Sequence, residues 1–124
     1  MKKALGYLIR LKARFFWSVS GVRDAWVEQE TFRAWARVNV VSIIAAFVLP
    51  LTAGERGLVI ALGLVLLAAE LLNTAIEYTV DYISTERHPL AGRAKDAASA
   101  GVFLVSIAGA VAWLLILWRL LIAG

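Results

Sequence analysis

The chain has 124 residues, enough for one domain, and 61% of them are hydrophobic, against roughly 45–50% in a soluble domain. A soluble fold of this size has too little interior for so much apolar surface, so we expect an integral membrane protein. The net charge of +4 comes without the basic and aromatic surface of a nucleic-acid fold, which excludes nucleic acid as an expected partner, and the lack of cysteine excludes disulfides.

Residues 1–33 are expected to form an amphipathic surface helix and a turn. Apolar side chains recur there at helical spacing, opposite basic ones; they are Leu5, Leu8, Leu11 and Phe15. This pattern is typical of a helix that lies in the interface of an anionic leaflet. No apolar run of signal-peptide type follows the first basic residues, so no cleavable leader is expected.

Three apolar stretches are predicted to cross the bilayer at residues 34–51, 57–83 and 94–121. The first is short unless it begins near residue 34, with Arg33 and Arg37 reaching back to the interface. Pro89 and Gly92 indicate a loop over residues 84–93. The expected fold class is all-α, with three transmembrane helices and an N-terminal amphipathic helix.

The distribution of basic residues predicts the orientation. The N-terminal segment and residues 84–96 hold eleven Lys and Arg residues, whereas the other side holds two, Arg56 and Arg119. The positive-inside rule then places the N-terminus and the 84–93 loop in the cytoplasm and the C-terminus outside.

Four polar side chains share one face of the second span. They lie within an arc of about 80° on a helix and are Glu70, Asn73, Glu77 and Asp81. Glu70 lies roughly 10 Å deeper than Glu77 by the helical rise, so it sits within the bilayer, where a carboxylate is costly. One Asn or Glu could serve interhelical hydrogen bonding alone, but three carboxylates in one stripe repel one another unless a cation is present.

The stripe suggests phosphate chemistry at the cytoplasmic interface. Glu77 and Asp81 suit a hard divalent cation such as Mg²⁺, which takes oxygen ligands and retains water and phosphate. Glu70, deeper and desolvated, could act as a general base. Lys95 and Asp96 open the third span at the same level, where the lysine either holds phosphate or serves as an interfacial anchor and salt bridge.

Two segments carry a family resemblance. Residues 70–81 read ELLNTAIEYTVD, and residues 86–96 read ERHPLAGRAKD. With residues 21–26, 32–33 and 113–118, they resemble the bacterial diacylglycerol kinase and undecaprenol kinase family nearly end to end. The resemblance implies a homotrimer in the bacterial inner membrane. It also implies composite active sites that transfer the γ-phosphoryl group of ATP, with Mg²⁺, to a lipid hydroxyl.

The resemblance also implies site residues. The implied catalytic residues are Glu70, as proton acceptor, Asn73, Lys95 and Asp96. The implied ATP-binding residues are Arg10, Trp17, Gln29, Glu77, Asp81, Glu86, Arg87, His88, Lys95 and Asp96. The implied metal ligands are Glu77 and Gln29 (or Glu28). The implied lipid-substrate residues are Arg23, Trp26, Arg56, Glu70, Ser99, Trp113 and Trp118. His88 taken alone is equally well read as a solvated loop residue.

One departure from the family concerns the metal. The family has a second metal-ligating Glu three residues before the Phe-Arg pair, where this chain has Gln29. A glutamine offers one neutral carbonyl oxygen, so we expect weaker metal affinity unless Glu28 or Glu30 takes part.

The expected substrate is diacylglycerol, giving phosphatidic acid for phospholipid recycling, with undecaprenol as the alternative. Two other classes are a small proton-coupled transporter that uses Glu70 and a purely structural membrane subunit. The transporter leaves Lys95 and Asp96 without a role.

Overall fold

The structure, a computed structural model, describes residues 2–123 as four helices joined by short connections. The helices are α1 (Lys2–Glu28), α2 (Glu30–Val48), α3 (Ala53–Ile83) and α4 (Pro89–Ala123). The last three are long and apolar enough to cross a membrane, with mean hydropathies of 1.3, 2.2 and 2.5 over their most apolar stretches. The predicted fold class, an all-α membrane protein with three candidate spans after an N-terminal helix, is confirmed.

A single extended residue, Gln29, separates α1 from α2. The Arg33 guanidinium stabilises this break by donating hydrogen bonds to the carbonyls of Trp26 (2.8 Å) and Val27 (2.9 Å). These carbonyls belong to the last turn of α1, which has no helical partner for them. Arg33 also pairs with Glu30, so this arginine holds the end of α1 to the start of α2.

α3 begins at Ala53, four residues before the expected start of the second span. The Thr52 hydroxyl accepts from the Glu55 backbone N–H at 3.2 Å, and the Glu55 carboxylate accepts from the Thr52 N–H at 2.8 Å. This reciprocal capping box satisfies backbone donors that the first turn of a helix leaves free.

α4 begins at Pro89, inside the segment 84–93 that was expected to be a loop. Proline suits the first position of a helix because its φ is already helical and its missing N–H would be unpaired there. His88 completes the start, since its Nδ1 accepts a hydrogen bond from the Leu90 N–H at 3.1 Å. The connection between α3 and α4 is therefore confined to residues 84–88.

α3 occupies the centre of the fold and packs against both α2 and α4. An apolar core lies where the α2–α3 turn meets the second half of α4, and it comprises Ala46, Leu51, Val59, Ala112 and Ile116. At this end Arg119 of α4 forms an ion pair with Glu55 of α3 (2.6 Å). Further along the bundle, the Trp113 indole N–H donates to the Ser42 hydroxyl at 2.9 Å, which connects α4 to α2.

The length of α3 explains where its polar residues lie. Its 31 residues span about 46 Å at the helical rise, which exceeds a bilayer core of ~30 Å. The C-terminal turns can therefore extend from the core into the interface. Those turns carry Glu77 and Asp81, whereas Glu70 lies further back.

Candidate active site

A cleft of about 400 Å³ opens between α2, α3 and α4, beside the α1–α2 junction. Its polar lining comes from all of these elements and comprises Gln29, Thr31, Glu70, Asn73, Glu77, Ser99 and Ser106. Three of the four residues in the predicted stripe thus face one cavity, while Asp81 does not line it. Trp35 and Phe103 supply apolar walls.

Glu70 is the deepest carboxylate of the cleft. Its side chain lines the cleft, and the residue is only 4% exposed. A carboxylate at this depth is costly in an apolar environment. A group in this position is suited to take up a proton from a substrate hydroxyl that enters the cleft.

Asn73 links the deep and shallow parts of the cleft. Its amide nitrogen donates to Glu77 Oε1 at 3.1 Å. Its Oδ1 is buried and has no hydrogen-bond partner among the described residues. An unpaired buried oxygen costs about 1–3 kcal/mol, so this atom is well placed to accept a hydrogen bond from a ligand or to coordinate a cation.

The oxygen atoms of the cleft suit a hard cation that arrives with its own ligands. No group of three or more His, Cys, Asp and Glu side chains within residues 2–123 could enclose a metal ion. The cleft instead offers the Glu77 carboxylate, Asn73 Oδ1 and the side-chain oxygen of Gln29. Mg²⁺ is commonly held by one or two carboxylates together with waters and phosphate oxygens, so this set fits Mg²⁺ bound to ATP.

The two carboxylates beside Gln29 are engaged elsewhere. Glu28 accepts a hydrogen bond from the Tyr78 hydroxyl at 2.6 Å, and the same hydroxyl accepts from Gln29 Nε2 at 3.0 Å. Glu30 is bound by Arg33 and by Arg37, the latter at 3.2 Å. Gln29 lines the cleft, whereas neither of its acidic neighbours does.

A second pocket, of about 560 Å³, lies at the α3–α4 connection. It gathers five of the residues expected to bind nucleotide, namely Asp81, Glu86, Arg87, His88 and Lys95. The Lys95 ammonium donates to Asp81 Oδ1 at 2.6 Å, so the lysine does form the salt bridge that the sequence allowed. Asp96 is exposed and lines neither pocket, and the two pockets have no lining residue in common.

The other residues expected near ATP lie on α1, away from both pockets. Arg10 borders a shallow depression of about 50 Å³ with its α1 neighbours, and Trp17 is 71% exposed. Within one chain, the fold does not bring either side chain to the cleft.

The residues expected near lipid are spread along the molecule. Ser99 lines the cleft, and Arg23 and Trp26 lie exposed on the last turns of α1. Arg56 and Trp118 belong to the opposite end, where the Arg56 guanidinium donates to the Ala46 carbonyl at 2.8 Å and Trp118 is exposed. Trp113 is half-buried and bonded to Ser42, as described above.

Tyr78 and Trp35 belong to the site, although no sequence pattern marks them. Tyr78 lies about 100° around the helix from Glu77, outside the acidic stripe. Its partners are 49 and 50 residues away in the chain, so no local pattern marks it. In the sequence, Trp35 looks like any interfacial tryptophan. Only the packing of α2 against α3 shows that it lines the cleft.

A family model described as prokaryotic diacylglycerol kinase matches residues 16–117. The chain belongs to that family. Over 101 residues it is 46% identical to the diacylglycerol kinase of Pseudomonas aeruginosa, covering 82% of each chain. It is 36% identical over 102 residues to that of Escherichia coli K12, covering 82% of this chain and 84% of the relative. With that of Helicobacter pylori 26695 the identity is 38% over 121 residues, or 98% of this chain and 91% of the relative.

These relatives confirm the predicted family and, with it, a membrane-bound lipid kinase. They favour the kinase over the proton-coupled transporter and the structural subunit. The matched range includes the cleft and the loop pocket but not Arg10.

Proposed function

We propose that this protein transfers the γ-phosphoryl group of MgATP to the free hydroxyl of diacylglycerol, giving phosphatidic acid for phospholipid recycling. The observation that carries the proposal is the cleft that joins the buried carboxylate of Glu70 to the oxygens of Asn73 and Glu77. The name shared by its relatives supports the choice of lipid.

In the proposed reaction, the substrate oxygen forms a bond to the γ-phosphorus as the bond from that phosphorus to the β–γ bridging oxygen breaks. Glu70 accepts the hydroxyl proton, and ADP leaves. Glu77, Asn73 and Gln29 would hold Mg²⁺, which supplies charge neutralisation on the phosphates when bound. The protein contributes positioning and electrostatics, as phosphoryl transfer requires.

The nucleotide is proposed to occupy the pocket at the α3–α4 connection. Lys95 would exchange its Asp81 partner for phosphate, while Arg87 adds positive charge and Glu86 lines the same wall. His88 Nδ1 is used by the start of α4, which leaves Nε2 for the nucleotide. Asp96 follows Lys95 directly and is proposed to contact the nucleotide at the same end of α4.

A homotrimer with composite sites is part of the proposal. The α1 residues Arg10 and Trp17 do not reach the pockets of their own chain, and the cleft and the loop pocket do not overlap. Both observations favour sites completed by a neighbouring copy. The protein is proposed to lie in the bacterial inner membrane. The arrangement of basic residues supports an orientation with the N-terminus and active site cytoplasmic and the C-terminus periplasmic.

Lipid contacts are proposed at two depths. Ser99, at the cleft, would lie near the reacting hydroxyl, and Arg23 and Trp26 would lie near the headgroup region. The remaining residues, Arg56, Trp113 and Trp118, are closer to the other end and would contact acyl chains or the far interface.

The test is phosphate transfer from radiolabelled ATP, with purified protein in mixed micelles containing diacylglycerol or undecaprenol. We expect diacylglycerol to be the better acceptor. Glu70→Gln should lower kcat at least a hundred-fold while ATP-analogue binding persists, because removing a general base costs about 10²–10⁴ in rate. Asp24→Asn, which alters an exposed carboxylate on α1, is the matched control.

Two results would contradict the proposal. A folded protein that phosphorylates neither lipid would refute the activity. Loss of ATP-analogue binding in Glu70→Gln would refute the role of Glu70 as proton acceptor.

A further inference from the structure

Tyr78 joins the α1–α2 junction to α3 through two consecutive hydrogen bonds. Gln29 Nε2 donates to the Tyr78 hydroxyl oxygen at 3.0 Å, and that hydroxyl donates to Glu28 Oε2 at 2.6 Å. The chain of bonds therefore runs in one direction, from an amide in the cleft to a carboxylate outside it.

The bond from Gln29 to Tyr78 decides which atom of the Gln29 amide faces the cleft. A glutamine amide carries a donor nitrogen and an acceptor oxygen, and an unrestrained side chain can present either one. Because Tyr78 takes the nitrogen of Gln29, the carbonyl oxygen is the atom left for the cavity that this side chain lines. A cation requires an oxygen there.

The second bond strengthens that oxygen as a ligand. Hydrogen bonds in a chain polarise one another, and a hydroxyl that donates to a carboxylate becomes a better acceptor. The negative charge of Glu28 is thus transmitted through Tyr78 to the amide of Gln29, which raises the electron density on its carbonyl oxygen. A neutral ligand gains part of the character of a carboxylate in this way.

The junction itself is held in place by Arg33. This arginine donates to the last carbonyls of α1 and pairs with Glu30 at the start of α2, on either side of Gln29. The backbone of residue 29 is therefore restrained from both sides, and the orientation of its side chain depends on Tyr78.

We infer that Tyr78, supported by Glu28, is a positioning residue that makes Gln29 an oxygen ligand for the divalent cation, in the cleft shared with Glu77. The inference rests on the proposed function and gives the cation site a further side-chain oxygen, beside those of Glu77 and Asn73, without a second carboxylate. Partners of this kind around metal ligands typically change metal affinity 10–100-fold.

The test measures Mn²⁺ binding by electron paramagnetic resonance, with purified protein in micelles and Mg²⁺ as competitor, with and without a non-hydrolysable ATP analogue. Tyr78→Phe removes only the hydroxyl and should weaken Mn²⁺ binding about ten-fold. Glu28→Gln keeps an acceptor but loses the charge, so a smaller weakening is expected. Tyr82→Phe is the control, since Tyr82 is 92% exposed on the same helix, and it should leave the affinity unchanged.

The sign of the change distinguishes two arrangements. If Glu28 itself were the ligand, Tyr78→Phe would release it and tighten Mn²⁺ binding. Tightened or unchanged binding would each overturn the inference.

Gln29→Glu separates positioning from general packing. A glutamate carries its own charge and needs no polarisation, so this variant should bind Mn²⁺ more tightly, and adding Tyr78→Phe should then change the affinity less than three-fold. An equal loss in both backgrounds would refute the inference. The titration needs neither lipid nor turnover, so an inactive protein with Tyr78-dependent binding would refute only the proposed function.

Discussion

At the scale of single residues, the site combines groups that are left without partners with groups that have replaceable ones. Asn73 Oδ1 belongs to the first kind, since it is buried and no hydrogen bond reaches it within the described chain. The Lys95–Asp81 pair belongs to the second. Its side chains are 38% and 51% exposed, so it contributes about 0–1 kcal/mol, and a phosphate group can readily replace Asp81.

This weak pairing leads to a prediction for Lys95→Gln. The variant loses the point charge offered to phosphate, so the KM for ATP should rise about ten-fold, the equivalent of one charge-assisted contact. Stability should change little because the ion pair is exposed. Steady-state kinetics with varied ATP provide the measurement.

Arg93→Gln is the matched control for Lys95→Gln. Arg93 is a cation two residues earlier on α4 that is exposed and outside the loop pocket. Its variant should retain the parental KM, and an unchanged KM in Lys95→Gln would exclude contact between Lys95 and the nucleotide.

At the scale of helices, Gly63 of α3 makes a tight contact with α2. A Cβ added there would lie 1.9 Å from Asn39 Oδ1. Asn39 is itself buried and donates from its amide to the Trp35 carbonyl at 3.0 Å. The missing side chain of Gly63 therefore makes room for a polar contact inside α2, one turn from the tryptophan that borders the cleft.

Gly63→Ala should consequently destabilise the protein. Alanine favours the helix by about 1 kcal/mol over glycine, but overpacking at a tight contact costs about 1–3 kcal/mol. We expect a net loss of about 1 kcal/mol in unfolding by sodium dodecyl sulfate. Combining it with Asn39→Ala should remove the clash and reveal a coupling between the two sites.

The control for Gly63→Ala is Gly57→Ala. A Cβ at Gly57 would have no heavy atom within 4 Å, and this residue lies on the same helix. Its substitution should be neutral or stabilising, and an equal loss at both positions would show that the Asn39 contact is unimportant.

At the scale of the whole molecule, polar contacts join the helices at both ends of an apolar bundle. Tyr78 and the Lys95–Asp81 pair connect elements at the active-site end, and Arg119 with Glu55 does so at the other. The outer faces of the helices carry many exposed large apolar side chains, which suit lipid or neighbouring copies. The cleft and the loop pocket lie apart within one chain.

The separation of the pockets predicts complementation between subunits. At ATP concentrations well below the KM, Glu70→Gln should retain about 1% and Lys95→Gln about 10% of the parental activity. A trimer assembled from both should recover about a quarter of the parental activity if each site uses these residues from two chains. The measurement is lipid phosphorylation by co-expressed, differently tagged chains, with the mass of three 13.5 kDa chains checked by light scattering.

Glu70→Gln mixed with Glu77→Gln is the control, because both residues line the same cleft of one chain. That mixture should recover nothing. If the mixture of Glu70→Gln and Lys95→Gln is no more active than each variant alone, composite sites built from these two residues are refuted.

Local patterns in the sequence predicted the overall class and part of the site. Hydropathy indicated three spans because long apolar stretches are stable only in a bilayer or a core. Helical periodicity alone brought Glu70, Asn73 and Glu77 to one face, because side chains three and four residues apart share a face on any α-helix. The same patterns do not predict the start of α4, because Pro89 and Gly92 suit a loop as well as the first turn of a helix.

Contacts between helices required the tertiary structure. A membrane helix is apolar both toward lipid and toward its neighbours, so periodicity does not reveal which face packs against which helix. Only packing brings Tyr78 to Gln29 and Glu28, and the same packing places Trp113 against Ser42.

Local spacing and composition are thus enough to predict that the chain is helical, spans the membrane and carries an acidic face. The motifs in residues 70–81 and 86–96 add the resemblance to the kinase family. Tertiary structure decided which oxygens meet in the cleft. It also decided that both acidic neighbours of Gln29 are bound elsewhere, because such contacts join residues far apart in the chain.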